Sequence, residues 1–346
     1  MATHPRWRGS IPDDLKASFE SKMTTEFQEI ELEIAPDMAG ARLDAALARL
    51  MPEQSRSRIK QWIQAGSILL GAKPARPSAV VNSGDRILVR VPPEQAPGRI
   101  EAESIPLTIV FEDRECMVID KPVGLVVHPG AGNASHTLQN ALLGFDPRLE
   151  RVARAGIIHR LDKDTSGLLV IARTPEAQTA LSRQLLARTV TREYEAVCVG
   201  VMTGGGSVDK PIGRHRSDRL RMTIRDDGRP AVTHYRVLAR FRAHTRVQVQ
   251  LETGRTHQIR LHLSHLGYPI VGDPVYGGRL GMPKGAGPEL IAQLRGFKRQ
   301  ALHAATLSFD HPRTGKRKTF TSPLPADLIR LIEALRADTE TNGGTA

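Results

Sequence analysis

The sequence has little cysteine, few aromatic residues and no long apolar segment. Cys116 and Cys198 are the only cysteines among 346 residues; they lie far apart, and we expect neither a disulfide framework nor a Cys-based metal site. Aromatic residues make up 4% of the chain, too few for base-stacking platforms to dominate. No segment approaches the ~18 consecutive apolar residues of a membrane span, and the polar N-terminus is unlike a signal peptide. We therefore expect a cytoplasmic protein without membrane contact.

Acidic residues are the minority charge. The chain has 49 Lys and Arg against 37 Asp and Glu, a formal net charge of +12. A basic excess favours a polyanionic partner, because each phosphate contact releases counterions. A soluble protein that is merely basic would have the same composition, so charge alone leaves both alternatives open.

Periodicity and composition divide the chain into four segments. Residues 1–28 are predicted to be a flexible extension, and residues 29–92 a small α/β unit with two helices and short strands. A linker is predicted at 93–103, next to a Pro-rich stretch. Residues 104–340 alternate short apolar strands with helices, and Thr174 is predicted to cap the helix that begins at Pro175. The fold class predicted for this larger domain is α+β with a mixed, largely antiparallel sheet.

The second helix of the small unit is predicted to start at Ser55. Three of its residues are predicted to form a buried apolar stripe: Ile59, Trp62 and Ile63. Arg56 and Lys60 are four residues apart and share a face, with Ser57 on the same side. Such a face can contact phosphates and sugars, although a lone basic helix is more often simply solvated.

The same block resembles the S4 RNA-binding domain. The resemblance is carried by R-L-D at 42–44, S-R-S-R at 55–58 and G-D at 84–85, in matching order over about fifty residues. It implies an S4-like RNA-binding unit whose RNA contacts are Arg42, Ser55, Arg56, Ser57 and Lys60.

A polar nonapeptide, H-R-L-D-K-D-T-S-G, occupies 159–167. It lies between two apolar runs predicted to be strands, 156–158 and 168–172, and functional residues are commonly presented on such connections. A further strand is predicted at 125–127. Asp162 or Asp164 could equally cap a turn, which is the commonest role of Asp in a loop.

The nonapeptide resembles the signature of the RluA-type pseudouridine synthases. Four further segments agree with that family: K-P-V-G-L-V-V-H-P-G at 121–130, R-E-Y-E-A-V at 192–197, G-R-T-H-Q-I-R-L-H at 254–262 and G-D-P-V-Y-G-G at 272–278. Together with the S4-like block, the resemblance covers about residues 30 to 336.

The resemblance implies conversion of uridine to pseudouridine in RNA. The N1–C1′ bond is broken, the base rotates, and it is rejoined through C5. Nothing is oxidised or hydrolysed, so we expect no cofactor and no metal. Asp162 is implied as the essential carboxylate, either as a nucleophile or as a base that removes a sugar proton.

The family also implies roles for four other residues. Tyr194 would pack against the target base and handle the C5 proton, although alone it would be taken for a half-buried sheet tyrosine. Arg260 would pair with Asp162, with Arg255 as the second candidate. Arg160 would fill the gap left when the uridine flips out.

Two other functions are alternatives to pseudouridine synthesis. A non-catalytic RNA-binding protein would be expected to have lost Asp162, Tyr194 or Arg260. A metal-dependent hydrolase would need a ligand cluster, and the nearest candidates lack an H-E-x-x-H pattern or acidic partners: His257, His262 and His265.

The expected partner is ribosomal RNA or a precursor of the large ribosomal subunit, the pre-50S particle. The resemblance implies uridines of 23S RNA, with the helix 69 hairpin loop as the expected target, although relatives with these motifs modify other rRNA sites or tRNA. No small-molecule partner is expected, and we expect a monomer.

Overall fold

The computed structural model describes residues 21–24, 27–52, 54, 56–71, 73–91, 100–130, 133–218 and 221–342. The chain forms two compact units, Met1–Arg99 and Ile100–Ala346. Most of the predicted linker and residues 1–20 of the predicted extension lie outside the described residues. No helix in the described ranges is long and apolar enough to cross a membrane.

The first unit is a small antiparallel sheet with two helices. Its strands are β1 Ser21–Thr24, β2 Phe27–Glu33, β3 Ile68–Leu70, β4 Lys73–Pro74 and β5 Arg86–Val91, in the order β1-β2-β5-β3-β4. The helices are α1 Leu43–Leu50 and α2 Arg56–Gln64. The apolar stripe predicted on α2 is buried, with Ile59, Trp62 and Ile63 in the core.

The predicted extension includes strand β1 near its end. Residues 21–24 pair with β2 as an antiparallel hairpin. Without residues 21–24, the backbone groups on the outer edge of β2 would be unpaired. These residues provide their hydrogen-bond partners.

The second unit is built on a nine-stranded sheet. Its strands are β6 Thr108–Glu112, β7 Cys116–Lys121, β8 Ser166–Ala172, β9 Thr191–Val199, β10 Gly206–Asp209, β13 Val232–Arg240, β14 His244–Leu251, β15 Leu302–Asp310 and β16 Arg317–Thr321. The order is β10-β13-β14-β9-β15-β8-β7-β6, with β16 beside β15. Among the pairs of strands in the described ranges, only β8 and β15 run parallel. The predicted α+β class with a largely antiparallel sheet is confirmed.

Helices and a small hairpin complete this unit. The helices are α3 Leu138–Phe145, α4 Pro175–Leu186, α5 Gln258–His265, α6 Pro288–Gly296 and α7 Ala326–Thr341; β11 Ile212–Arg214 pairs with β12 Met222–Ile224. As predicted, Thr174 caps α4, its hydroxyl accepting the Ala177 N–H at 3.1 Å.

Gly167, the last residue of the nonapeptide, permits the parallel pairing of β8 with β15. Its φ is +112°, and a Cβ there would lie 2.3 Å from the Ala304 carbonyl oxygen. Only glycine fits this close approach of two backbones.

Two of the predicted strands are wrong. Residues 125–127 form one isolated bridge, between Val126 and Thr137; the Leu125 carbonyl instead accepts a hydrogen bond from the Lys121 ammonium. Residues 156–158 follow a 3-10 turn and contribute one bridge, at Ile157. Gly156 has φ +78° and lies against the Ala172 carbonyl, a turning conformation that interrupts an extended run. Asp162 is therefore presented by irregular backbone that leads into β8.

Candidate active site

Asp162 and Asp273 are bridged by one guanidinium. Nη1 of Arg260 donates to Oδ2 of Asp162 at 2.9 Å. Nε and Nη2 of Arg260 donate to the two oxygens of Asp273 at 2.7 and 2.9 Å. The Asp273 side chain is fully buried, whereas that of Asp162 keeps 17% exposure. One carboxylate therefore anchors the arginine, and the other is held where a ligand can reach it.

Asp273 is the fixed end of the bridged group Asp162–Arg260–Asp273. Its Oδ1 also accepts the backbone N–H groups of Val275 and Tyr276, at 2.8 and 3.0 Å. Burial would raise the pKa of Asp273, but the hydrogen bonds from Arg260 and these amides hold it below its ordinary value. Burial would lower the pKa of Arg260, but Asp273 and Asp162 raise it. Asp273 and Arg260 are thus both charged at neutral pH. Sequence reasoning did not single out Asp273, although it lies in the G-D-P-V-Y-G-G motif.

A hydrogen-bonded glutamine holds the segment that leads into α5. Oε1 of Gln258 accepts from the Thr253 hydroxyl and the Arg255 backbone N–H, at 2.8 and 3.0 Å. Nε2 of Gln258 donates to the Val232 carbonyl at 2.9 Å. Arg255, the second candidate for pairing with Asp162, instead donates from Nε to the Pro230 carbonyl at 3.2 Å.

Tyr194 lies at the centre of β9, between β14 and β15. Its side chain is almost fully buried and lines the same cavity as Asp162. Burial raises the pKa of Tyr194, the charge of Arg192 opposes that rise, and the charge of Asp162 adds to it. The phenol is therefore neutral at neutral pH.

These groups open onto one cavity of about 700 Å³. It is large enough for a drug-sized ligand. Of the described residues that line it, two bear a carboxylate, Asp162 and Glu252, and six are arginines: Arg154, Arg160, Arg188, Arg192, Arg255 and Arg260. The predicted base-flipping residue, Arg160, is exposed in its wall. A basic cavity with one held carboxylate suits a nucleotide of RNA.

Comparisons with known proteins agree with this geometry. Residues 115–265 match the RNA pseudouridylate synthase family and residues 41–87 the S4 domain. The ribosomal large subunit pseudouridine synthase D of Xanthomonas campestris pv. campestris is 57% identical over 306 residues, 88% of this chain and 92% of the relative. The enzyme of the same name from Escherichia coli strain K12 is 50% identical over 308 residues, 89% and 94% of the two chains.

The chain belongs to the RNA pseudouridine synthase family. This confirms the RluA-type and S4 resemblances, and the protein is an isomerase that acts on RNA. Among solved structures, human RNA pseudouridylate synthase domain containing 4 superposes with a TM-score of 0.52 and 27% identity, over 66% of this chain and 93% of that one.

A buried lysine supports the loop that carries the held carboxylate of the synthase. Nζ of Lys121 donates to the carbonyls of Pro122, Leu125 and Lys163 at 2.7, 3.0 and 2.9 Å. Burial lowers the pKa of Lys121 to about 8, against the opposing carboxylates nearby. The ammonium thus binds the residue that follows Asp162. Lys121 is the first residue of the K-P-V-G motif, but the sequence did not predict its hydrogen bond to the Lys163 carbonyl.

The cations predicted on the S4-like unit converge on one carboxylate. Arg42, Arg56 and Lys60 contact the buried Asp44 at 3.2, 3.1 and 3.4 Å. Burial would raise the pKa of Asp44, but the hydrogen bonds from the three cations lower it to about 2. The cations remain about half exposed, so they are aligned and still accessible. Ser55 lies outside the described residues, as does the side chain of Ser57.

The three histidines considered for a metal have other partners or positions. Nδ1 of His257 contacts the Tyr276 hydroxyl at 3.0 Å. His262 is buried, with its nitrogens 2.9 Å from the Thr233 hydroxyl and 3.0 Å from the Lys210 carbonyl. These contacts fit a packing role for His262, and His265 is exposed.

In the described part of the chain, a different group has metal-ligand spacing: Asp113, Cys116 and His311, whose ligand atoms lie within 4.8 Å of one another. Nδ1 of His311 accepts the Arg313 and Thr314 backbone N–H groups, so its Nε2 carries the hydrogen and donates to Asp113 at 2.7 Å. Burial raises the pKa of the Cys116 thiol to about 12. The contacts fit a hydrogen-bonded link between two turns, because the His311 nitrogen and the Cys116 sulfur that would bind a metal both carry a proton.

Proposed function

We propose that this synthase isomerises uridines of large-subunit ribosomal RNA, in the helix 69 hairpin loop, with Asp162 as the essential carboxylate. One observation supports the choice of Asp162: its carboxylate lies in the wall of an arginine-lined cavity and accepts Nη1 of Arg260 at 2.9 Å. The bacterial relatives support large-subunit RNA as the substrate, because they are ribosomal large subunit pseudouridine synthases and match about nine tenths of the chain.

In this proposal the target uridine leaves the RNA stack and enters the cavity, because C1′ and C5 of a stacked nucleotide are poorly accessible. Arg160, exposed at the cavity wall, takes its place in the stack. Asp162 meets the ribose or the base as a charged group, since its ion pair with Arg260 stabilises that charge. It acts by adding to the substrate or by removing a sugar proton.

Tyr194 is proposed to pack against the detached base and to handle the C5 proton. Its nearly complete burial holds the ring in one place, and its phenol is neutral. Bonds are exchanged without a net change in oxidation state, so the proposed reaction needs no coenzyme and no metal.

Loss of the gene tests the proposed substrate. We expect mapping of total RNA to show that the pseudouridines of the helix 69 loop are missing in the deletion strain. These pseudouridines should return with the wild-type gene and stay missing with the Asp162→Asn gene. Loss of pseudouridine at other sites, with the helix 69 loop intact, would assign a different RNA.

The S4-like unit is proposed to bind phosphates through the cations around Asp44. Arg56→Ala combined with Lys60→Ala should weaken RNA binding and reduce the slope of log Kd against log salt by about 1 to 2, since each phosphate contact contributes about 0.7 to 0.9. The measurement is a filter-binding titration at several salt concentrations.

A matched double variant removes two cations that pair with other carboxylates. The double variant Arg49→Ala with Arg90→Ala removes the cations that pair with Asp37 and Glu29 in the same unit. The slope of log Kd against log salt should change less than in the first double variant. In the first double variant, Asp44 keeps Arg42 of its three cations. Thermal unfolding of both double variants checks that the loss of the other two does not destabilise the unit. An unchanged slope in the first double variant would remove this face from the RNA site.

A further inference from the structure

Two residues that line the active-site cavity each carry a buried nitrogen that lacks an acceptor. Among the described residues, three buried side-chain nitrogens have no hydrogen-bond partner: Nδ1 of His159, Nε of Arg192 and Nδ1 of His244. His159 and Arg192 both line the cavity that contains Asp162. Buried polar atoms are nearly always satisfied, so two exceptions in one cavity need an explanation.

His159 is a neutral donor. Its Nε2 accepts the Val170 backbone N–H at 3.2 Å, so the ring hydrogen resides on Nδ1. Burial lowers the pKa of His159 to about 3, and the ring stays neutral throughout the physiological range. An N–H group therefore lies in the cavity wall without an acceptor.

Arg192 is a buried cation without a carboxylate partner among the described residues. Its side chain makes one hydrogen bond, from Nη2 to the Glu252 carbonyl at 3.3 Å, and the residue is 6% exposed. The Glu252 carboxylate is engaged by Arg188 at 2.7 Å and His234 at 2.6 Å. Burial of an unpaired guanidinium is unfavourable, which points to an acceptor that arrives with the substrate.

The backbone makes room for this guanidinium. A Cβ at Gly254 would lie 2.7 Å from Nη1 of Arg192. Gly254 is exposed, and its contact with a flexible side chain means that alanine would displace the guanidinium and leave the fold intact. The glycine of the G-R-T-H-Q motif therefore lies beside the group that needs a partner.

Arg192 and Asp162 act on Tyr194 together. Arg192 precedes Tyr194 by two residues on β9, so their side chains share one face of the sheet. The charges of Arg192 and Asp162 shift the tyrosine pKa in opposite directions, so both lie within electrostatic range of the phenol. A base that packs on Tyr194 with its ribose at Asp162 can thus extend its far edge toward Arg192.

We propose that Arg192 and His159 donate hydrogen bonds to a carbonyl oxygen of the flipped uracil. The inference rests on the proposed function and extends it to the base. When the N1–C1′ bond breaks, its electron pair stays on the base, and the negative charge spreads over N1 and the two carbonyl oxygens. The base then bonds C1′ through C5, the C5 proton leaves, and N1 gains a proton. Donors at a carbonyl oxygen stabilise the charge that develops at the first step.

A base carbonyl fits these donors better than a phosphate does. The phosphates of a flipped nucleotide stay with the RNA backbone at the mouth of the cavity, where exposed arginines such as Arg160 and Arg154 are available. Arg192 is among the least exposed of the cavity arginines. Cytosine carries an amino group where uracil has O4, so donors at that edge would also disfavour cytosine.

The test is single-turnover kinetics of Arg192→Met on ribosomal RNA from a strain that lacks the gene. We expect the rate constant to fall about 10²-fold, the loss typical of removing one preorganised donor, with Kd within about threefold and an unchanged salt slope. Arg192→Lys should recover part of the rate. Gly254→Ala, which only displaces the guanidinium, should also lower the rate. Arg246→Met removes an arginine of the same sheet that pairs with Glu195 and should leave the rate unchanged.

A weaker Kd with a salt slope reduced by about 0.7 to 0.9 would identify a phosphate contact and overturn the proposal. A wild-type rate in Arg192→Met would overturn it as well. If that variant unfolds, the rate of Gly254→Ala decides. The proposed function is tested separately, by the activity of the wild-type enzyme on this RNA and the inactivity of Asp162→Asn.

Discussion

Asp162→Asn is expected to abolish pseudouridine formation, with a rate loss of more than about 10³-fold, while the fold and RNA affinity are retained. The amide has the shape of the carboxylate, and its carbonyl oxygen can still accept Nη1 of Arg260. It lacks the charge that would add to the substrate or remove a proton. The measurement is single-turnover conversion of rRNA, with Kd determined by filter binding.

A neighbouring carboxylate provides the control. Asp164 lies two residues away in the same turn, and its backbone carbonyl accepts a hydrogen bond from Arg299. Asp164→Asn removes an equal charge at nearly the same place and should keep most of the activity. Turnover retained in Asp162→Asn, or equal losses in the two variants, would show that Asp162 is not the essential carboxylate.

Arg260→Ala is expected to lower turnover far more than RNA affinity, and to destabilise the fold by about 3–5 kcal/mol. The stability loss arises at Asp273, whose fully buried carboxylate keeps its two backbone amides but loses its only cation among the described residues. The turnover loss arises at Asp162, which is then no longer oriented. The measurements are kcat, Kd and the free energy of unfolding by urea titration.

A double variant separates the two effects. Arg260→Ala with Asp273→Asn removes both buried charges and should recover much of the unfolding free energy, because a neutral pair no longer leaves a buried charge unpaired. Turnover should stay low, since Asp162 still lacks its partner. Recovery of turnover together with stability would mean that Arg260 has a structural role only, and equal losses of kcat and RNA affinity in the single variant would indicate an ordinary RNA contact.

The sequence was most informative where chemistry depends on neighbours along the chain. The cap of α4 by Thr174, the apolar stripe of α2 and the largely antiparallel sheet are all present in the structure as predicted. These features depend on local periodicity and on hydrogen bonds a few residues apart, which a sequence displays directly. The motifs also led to both members of the Asp162–Arg260 pair.

Local reasoning failed where side-chain hydrogen bonds or close packing compete with strand pairing for the backbone. Residues 125–127 have the apolar pattern of a strand, but the Lys121 ammonium binds the Leu125 carbonyl. Residues 156–158 are equally apolar, but Gly156 turns the chain against the Ala172 carbonyl. Neither contact is visible in hydrophobic periodicity, so both strands were predicted where the structure has single bridges.

By itself the sequence determined the family, the class of fold and the identity of the held carboxylate, because these depend on residue types in a fixed order. Only the tertiary structure decided which groups stabilise the site. Asp273 anchors Arg260, Asp44 binds three cations, and Arg192 lies buried with no carboxylate partner in the described part of the chain. Arg260 reaches Asp162 across 98 positions of the chain. A charge so placed is set by burial and by partners that only folding brings within a few ångströms.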